Sequence, residues 1–136
     1  MLAGIGGAEI AGTEAYPSAE SSTHFKDATC VKCHMYQQHH TFEPSLDACK
    51  ECHDGITDFD FNGVQTTVTN LMESLKDELT TAGLLSSSGS PVVGTYPVKQ
   101  AEALYNYLMI EDDRSEGVHN PKYVEALLRN SIDVFK

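Results

Sequence analysis

The pattern C-x-x-C-H occurs twice in this chain, at Cys30–His34 and at Cys49–His53. It is the attachment motif of c-type haem. Two cysteines three positions apart lie within about one helical turn, so both sulfurs can reach the two vinyl groups of one porphyrin. The histidine that follows can then bind the iron as its proximal ligand. The motifs predict two covalently bound haem c groups. The predicted attachment residues are Cys30, Cys33, Cys49 and Cys52, and the predicted proximal ligands are His34 and His53.

The four cysteines also fit two other kinds of site. Their C-x2-C-x15-C-x2-C spacing is typical of a four-cysteine zinc ribbon, and cysteine pairs can form disulfides. Neither alternative explains why a histidine follows each pair, and neither gives a use to the six histidines of the chain. Haem attachment is therefore the favoured interpretation, and a zinc-binding module is the non-redox alternative.

Four further histidines could supply the second axial ligands of the two irons. These are His24, His39, His40 and His119. An iron closed by two strong protein ligands favours electron transfer, whereas an open position permits ligand binding or catalysis. Methionine is the other common closing ligand, but Met72 and Met109 fall at helical core positions. The surplus of histidines predicts bis-histidine iron, and hence an electron carrier rather than an enzyme.

Charge and hydropathy constrain the partners and the location of the protein. With 136 residues and a formal net charge of −11, the chain lacks the basic patches that nucleic acids require, and a basic redox partner is favoured. No stretch approaches the about 18 apolar residues of a membrane span. Residues 1–23 contain no Lys or Arg, unlike the start of a signal peptide. Because thioether attachment takes place outside the bacterial cytoplasmic membrane, we expect a periplasmic or extracellular protein whose export signal is absent from this sequence.

Apolar periodicity predicts a mainly α-helical fold with little or no β-sheet. Residues 1–23 are expected to form a flexible N-terminal arm, and residues 24–136 a single dihaem cytochrome domain. Within that domain, residues 24–62 form a haem-binding loop block. Helical spacing then predicts three helices, which run from Val64 towards Gly83, from about Val98 to Met109, and from Pro121 onwards. Asn120 is predicted to cap the third helix, with Pro121 at its first position.

The order of these histidines and motifs resembles a known family. The pattern runs from His24 through the two C-x-x-C-H motifs and His40 to Gly117-Val118-His119-Asn120-Pro121. Over roughly residues 24–134 it is similar to the C-terminal half of the multihaem cytochromes related to cytochrome c nitrite reductase and to the octahaem hydroxylamine-oxidising and tetrathionate-reducing enzymes. The resemblance implies that His119 closes the haem held by Cys30–His34. It also implies that His24 closes the haem held by Cys49–His53.

The resemblance further implies a role for the remaining histidines. In the family a histidine that matches His40 reaches a haem attached upstream, which has no counterpart in this chain, and His39 lies beside it as the other candidate. The catalytic half of those enzymes is also missing. We therefore expect an electron-relay unit. It could be a fragment of a multihaem nitrogen- or sulfur-oxyanion oxidoreductase, or a subunit that self-associates into a larger haem chain or extracellular filament.

Overall fold

Six α-helices and no β-sheet make up the fold in the computed structural model, which describes residues 1–136. Three helices are short: α1 (Thr23–Asp27), α2 (Cys30–His34) and α3 (Leu46–Lys50). Three are longer: α4 (Val64–Thr81), α5 (Val98–Asp113) and α6 (Pro121–Asp133). The prediction of a mainly helical small domain with about three longer helices is confirmed. No helix combines the length and the apolar character needed to cross a membrane.

The longer helices begin and end where their sequences favour it. α4 ends just before Gly83, whose φ of +78° is the left-handed conformation that terminates many helices. α6 begins with Pro121, and the Asn120 side chain accepts a hydrogen bond from the Tyr123 amide at 3.3 Å. α5 continues past the predicted end at Met109 because Ile110 still packs in the core.

The hydrophobic core lies between the three longer helices. α4 and α5 each pack against α6 and against each other. Apolar side chains at helical spacing meet there, and Leu84 and Leu85 close one end of the bundle. The fully buried members include Leu75, Leu79, Tyr123, Leu127 and Leu128. Because burying each such side chain contributes about 1.5–3 kcal/mol, this bundle carries most of the apolar stabilisation of the chain.

The N-terminal segment lies extended along α5 and α6 of its own chain. The Asn106 side chain accepts a hydrogen bond from the Ala8 amide at 2.7 Å and donates one to the Ala8 carbonyl at 2.9 Å. Asn130 makes the same pair of bonds with Glu14, both at 2.9 Å. Ile10 is buried in the core cluster. Side-chain amides deep in the bundle thus hold the backbone of the segment, for which composition predicts a flexible arm.

The segment that contains both C-x-x-C-H motifs has little packing of its own. Between Pro17 and Gly63 only Ala48 and Ile56 are buried. Large apolar side chains such as Val31 and Phe42 are exposed. Two short turns of 3-10 helix, at Tyr36–Gln38 and Phe61–Gly63, complete its regular structure. Apolar contacts among its own side chains therefore contribute little to holding this segment in shape.

Candidate metal centre

Each C-x-x-C-H histidine faces a second histidine in the structure. The ring centroids of His34 and His119 are 6.1 Å apart, and those of His24 and His53 are 5.9 Å apart. We call the group of Cys30, Cys33, His34 and His119 the first site, and the group of Cys49, Cys52, His53 and His24 the second site. Both pairs join residues from distant parts of the sequence. Contacts between neighbouring residues of the sequence therefore do not explain the two histidine pairs.

The spacing within each pair fits one metal atom between two imidazoles. Two rings that bind the same atom through Nε2, with metal–nitrogen bonds of about 2 Å each, have centroids about 6 Å apart. The planes of the two rings meet at 60° in the first site and at 87° in the second. Rotation of either ring about a shared nitrogen–metal–nitrogen axis leaves that axis intact, so both angles are compatible with axial ligation. The residues present therefore fit the predicted cofactor.

Three of the four histidines hold their Nδ1 atom against an oxygen that can only accept a proton. His34 donates to the Phe42 carbonyl at 2.7 Å, and His24 donates to the Val118 carbonyl at 2.7 Å. His119 donates to the Asp113 carboxylate at 2.9 Å. A neutral imidazole with a proton on Nδ1 carries its free lone pair on Nε2, which is the pattern of a metal-ligating histidine. The hydrogen bonds thus fix both the tautomer and the orientation of these rings.

The partner of His119 is a charged and largely buried side chain. The side chain of Asp113 is 15% exposed and that of His119 is 33% exposed. Burial raises the pKa of Asp113, but hydrogen bonds from His119 and Ser115 outweigh burial, so the net pKa lies below its usual range. Asp113 is therefore held as a carboxylate at neutral pH. The Ser115 hydroxyl donates to its second oxygen and keeps the group aligned with the ring.

The partner of His34 lies on a strained loop. Phe42 has a φ of +60°, a left-handed conformation that a bulky side chain adopts at a cost of about 1–3 kcal/mol. Gln37 and Gln38 in the same loop also have positive φ values. This path brings the Phe42 carbonyl to His34 while the Phe42 side chain stays exposed. The backbone conformation of this loop therefore places the hydrogen-bond acceptor for the histidine of the first motif.

In the second site a backbone carbonyl orients one histidine and an aromatic ring packs against the other. The Val118 carbonyl that orients His24 belongs to the residue immediately before His119. His53 packs against Phe61, with ring centroids 4.4 Å apart. The turn between α5 and α6 consequently supports both sites, because it carries one ligand of the first site and orients one ligand of the second.

The cysteines lie beside the histidine pairs and form no disulfide. Cys30 and Cys52 are exposed, and Cys33 and Cys49 are half-buried. Burial raises the pKa of the Cys33 and Cys49 thiols above its usual range. No group of three or more His, Cys, Asp or Glu side chains is arranged to hold a metal ion.

The two remaining candidate ligands lie apart from both pairs. His39 and His40 are exposed on the loop between α2 and α3. The rings of the two sites pair only His34 with His119 and His24 with His53. Neither His39 nor His40 is therefore required to explain the two pairs within this chain.

Gly117 is the position on the shared turn where a side chain would be most harmful. Both Gly117 and Gly83 have positive φ values, of +89° and +78°, where an L-residue costs about 1–2 kcal/mol. A Cβ at Gly117 would lie 2.6 Å from Cγ2 of Val68, whereas one at Gly83 would meet nothing within 4 Å. We expect Gly117→Ala to lower the free energy of unfolding by about 1–3 kcal/mol more than Gly83→Ala, because of overpacking. Urea unfolding of the two variants measures the difference, and equal losses would contradict the prediction.

Comparison with known proteins gives no independent assignment of these sites. No protein-family model, curated protein or solved structure matches the chain.

Proposed function

We propose that this protein transfers electrons through two covalently bound c-type haems, each closed by two histidines. The observation that carries the proposal is the pairing of each C-x-x-C-H histidine with a distant histidine at the spacing expected for shared ligation of one atom. Three of the four rings also have Nδ1 hydrogen-bonded to an acceptor, so Nε2 is left as the ligand atom. Bound haem would supply a one-electron ferric/ferrous couple.

The cysteines and the paired histidines have different tasks in this proposal. Cys30, Cys33, Cys49 and Cys52 would form the thioether bonds. The four paired histidines would occupy both axial positions and so keep water and substrates from the iron. Because the same ligands would stay bound in both oxidation states, electron exchange would require little reorganisation of these residues. This closure supports an electron carrier over an enzyme.

The arrangement of the short helices supports electron exchange between the two sites. α2 carries the first motif and α3 carries part of the second, and the two helices contact each other. The sites also share the turn before α6, through the Val118 carbonyl and His119. The acidic net charge of −11 supports a basic protein as the redox partner. Covalent attachment supports a periplasmic or extracellular location.

In a second candidate function, electrons would also pass to or from a haem outside this chain. His39 and His40 are exposed and take no part in either pair. This exposure supports a contact with a haem outside the chain, either in a subunit of a larger haem chain or filament or in a multihaem oxidoreductase to which this unit relays electrons.

The haem content and spin state of the purified protein test the main proposal. We expect expression with a c-type maturation system to give two haems per chain by the pyridine haemochrome assay, because each motif attaches one. Electron paramagnetic resonance should show only low-spin ferric iron, and carbon monoxide should leave the reduced optical spectrum unchanged. A Cys49→Ser, Cys52→Ser variant should retain one haem and serves as the control for counting. High-spin iron or carbon monoxide binding in the native protein would refute closure of the sites by two histidines.

A further inference from the structure

We infer that Asp113 makes the first site the lower-potential of the two, so that a single electron shared between the sites resides mainly on the second. This inference rests on the proposed function and adds the direction in which electrons would pass between the two sites. It follows from a difference between the two sites in the groups that hold their histidines.

Only the first site has a histidine bound to a charged group. His119 donates its Nδ1 proton to Asp113, at 2.9 Å and 3.0 Å from the two carboxylate oxygens. In the second site His24 donates to a neutral backbone carbonyl, that of Val118. The other ligand of the second site, His53, is held by the ring of Phe61. One site therefore has a negative charge one hydrogen bond away from its iron ligand, and the other has none.

A carboxylate acceptor changes the ligand itself. The charge-assisted hydrogen bond draws the Nδ1 proton towards Asp113 and increases the electron density on the imidazole. A more electron-rich imidazole is a stronger donor to a metal and stabilises the higher oxidation state. A neutral carbonyl polarises the ring much less. The first site should therefore favour ferric iron more strongly than the second.

The surroundings of Asp113 preserve this effect. Its side chain is 15% exposed, so solvent screens the charge less than it would screen that of a surface residue. Ser115 donates to the same carboxylate and holds it in place. The neighbouring Asp112 carries the same charge but is exposed. The two adjacent acids thus separate the effect of the hydrogen bond from the effect of net charge.

The step itself is a one-electron exchange. When an electron passes from the first site to the second, the first is oxidised by one electron and the second is reduced by one. No proton or ligand bond moves. The reductant that supplies the electron and the oxidant that removes it are redox proteins outside this chain. Under this order the first site accepts from a low-potential donor and the second delivers to a higher-potential acceptor.

Asp113→Asn in the dihaem protein tests the inference, because asparagine keeps an oxygen that can accept the Nδ1 proton and removes the charge. Second-shell substitutions at metal sites typically change affinity by about tenfold or more. A tenfold weakening that affects ferric iron alone changes the ferric/ferrous equilibrium constant tenfold, which is about 59 mV for one electron. We expect the lower of the two midpoint potentials to rise by about that amount while the upper one stays. Asp113→Glu, which keeps the carboxylate, should leave the lower midpoint near its original value.

Asp112→Asn is the matched control and should shift both midpoints only slightly. A shift of the upper midpoint in Asp113→Asn, or a shift no larger than in Asp112→Asn, would overturn the inference while the proposed function stands. High-spin iron in the native protein would instead overturn the proposed function. If Asp113→Asn fails to fold, nuclear magnetic resonance of the native protein during stepwise reduction still tests which site has the lower potential. The paramagnetically shifted signals of His24 and His53 should disappear before those of His34 and His119, and the reverse order would overturn the inference.

Discussion

Replacement of His119 by glycine should convert one of the two haems from low-spin to high-spin iron and leave the other unchanged. His119 faces His34 at a centroid distance of 6.1 Å, and no other histidine ring pairs with His34. Without it the iron of the first site would have an open axial position, which carbon monoxide can occupy after reduction. Carbon monoxide titration should therefore count one binding site per chain, against none in the native protein.

Two further variants make this test specific. Added imidazole should restore the low-spin spectrum of His119→Gly, because the cavity left by the side chain admits the free ring. His40→Ala removes an exposed histidine and should leave both haems low-spin. Two low-spin haems in His119→Gly without imidazole would show that a different residue closes the first site. A loss of low-spin iron in His40→Ala would show that the pairing is wrong.

Replacement of Asn106 by alanine should destabilise the protein by about 3 kcal/mol. The Asn106 side chain is fully buried and hydrogen-bonds the Ala8 amide, the Ala8 carbonyl and the Ser131 hydroxyl, at 2.7, 2.9 and 3.0 Å. Alanine would leave these three groups without their partner at a cost of about 1 kcal/mol or more each. For a domain of this size the melting temperature should fall by about 10 °C. Differential scanning calorimetry of the haem-loaded protein measures it.

Asn70→Ala provides the matched control for this prediction. Asn70 also lies within a long helix, α4, but it is exposed. The change in helix propensity is the same in both variants, so the difference between them reports the buried hydrogen bonds. Asn70→Ala should change the free energy of unfolding by less than about 0.5 kcal/mol. Equal melting temperatures for the two variants would mean that the buried hydrogen bonds of Asn106 add nothing to stability.

The helices could be predicted from the sequence because their signals are local. Apolar spacing located α4, and the Asn120-Pro121 pair fixed the start of α6 to the residue. The end of α5 could not be predicted from local signals. Its last turn, which includes Asp113, is acidic, and the reason that it stays helical is the burial of Ile110 against other elements. Tertiary packing therefore determines where α5 ends.

The groups that orient the histidines were not predictable for a different reason. The acceptors for His34 and His24 are the backbone carbonyls of Phe42 and Val118, a group that every residue possesses. Asp113 is one of 20 acidic residues in the chain, and its selection depends on how the turn after α5 folds back. The pairing of the histidines themselves came from a resemblance in motif order, not from spacing.

The packing of the N-terminal segment could not be predicted from its composition. Its small residues suggest flexibility, yet they permit close contact with the bundle. A Cβ on Gly7 would lie 2.6 Å from Cδ2 of Leu127, so a side chain at that point would displace the buried Leu127 side chain. Asn106 and Asn130, which hold the segment, are fully buried polar residues of α5 and α6. Small residues on one side and buried amides on the other form an interface that neither stretch reveals by itself.

The two histidine pairs close loops of very different length. The second site joins His24 to His53 within the loop block, whereas the first joins His34 to His119 across most of the chain. Ordering a long loop costs more conformational entropy than ordering a short one, and non-local contacts slow folding. Metal ligation would therefore act as a local clamp at the second site and as a long-range cross-link at the first. His119 lies just before α6, so ligation at the first site would depend on the assembled helical bundle and would report the folding of the whole domain.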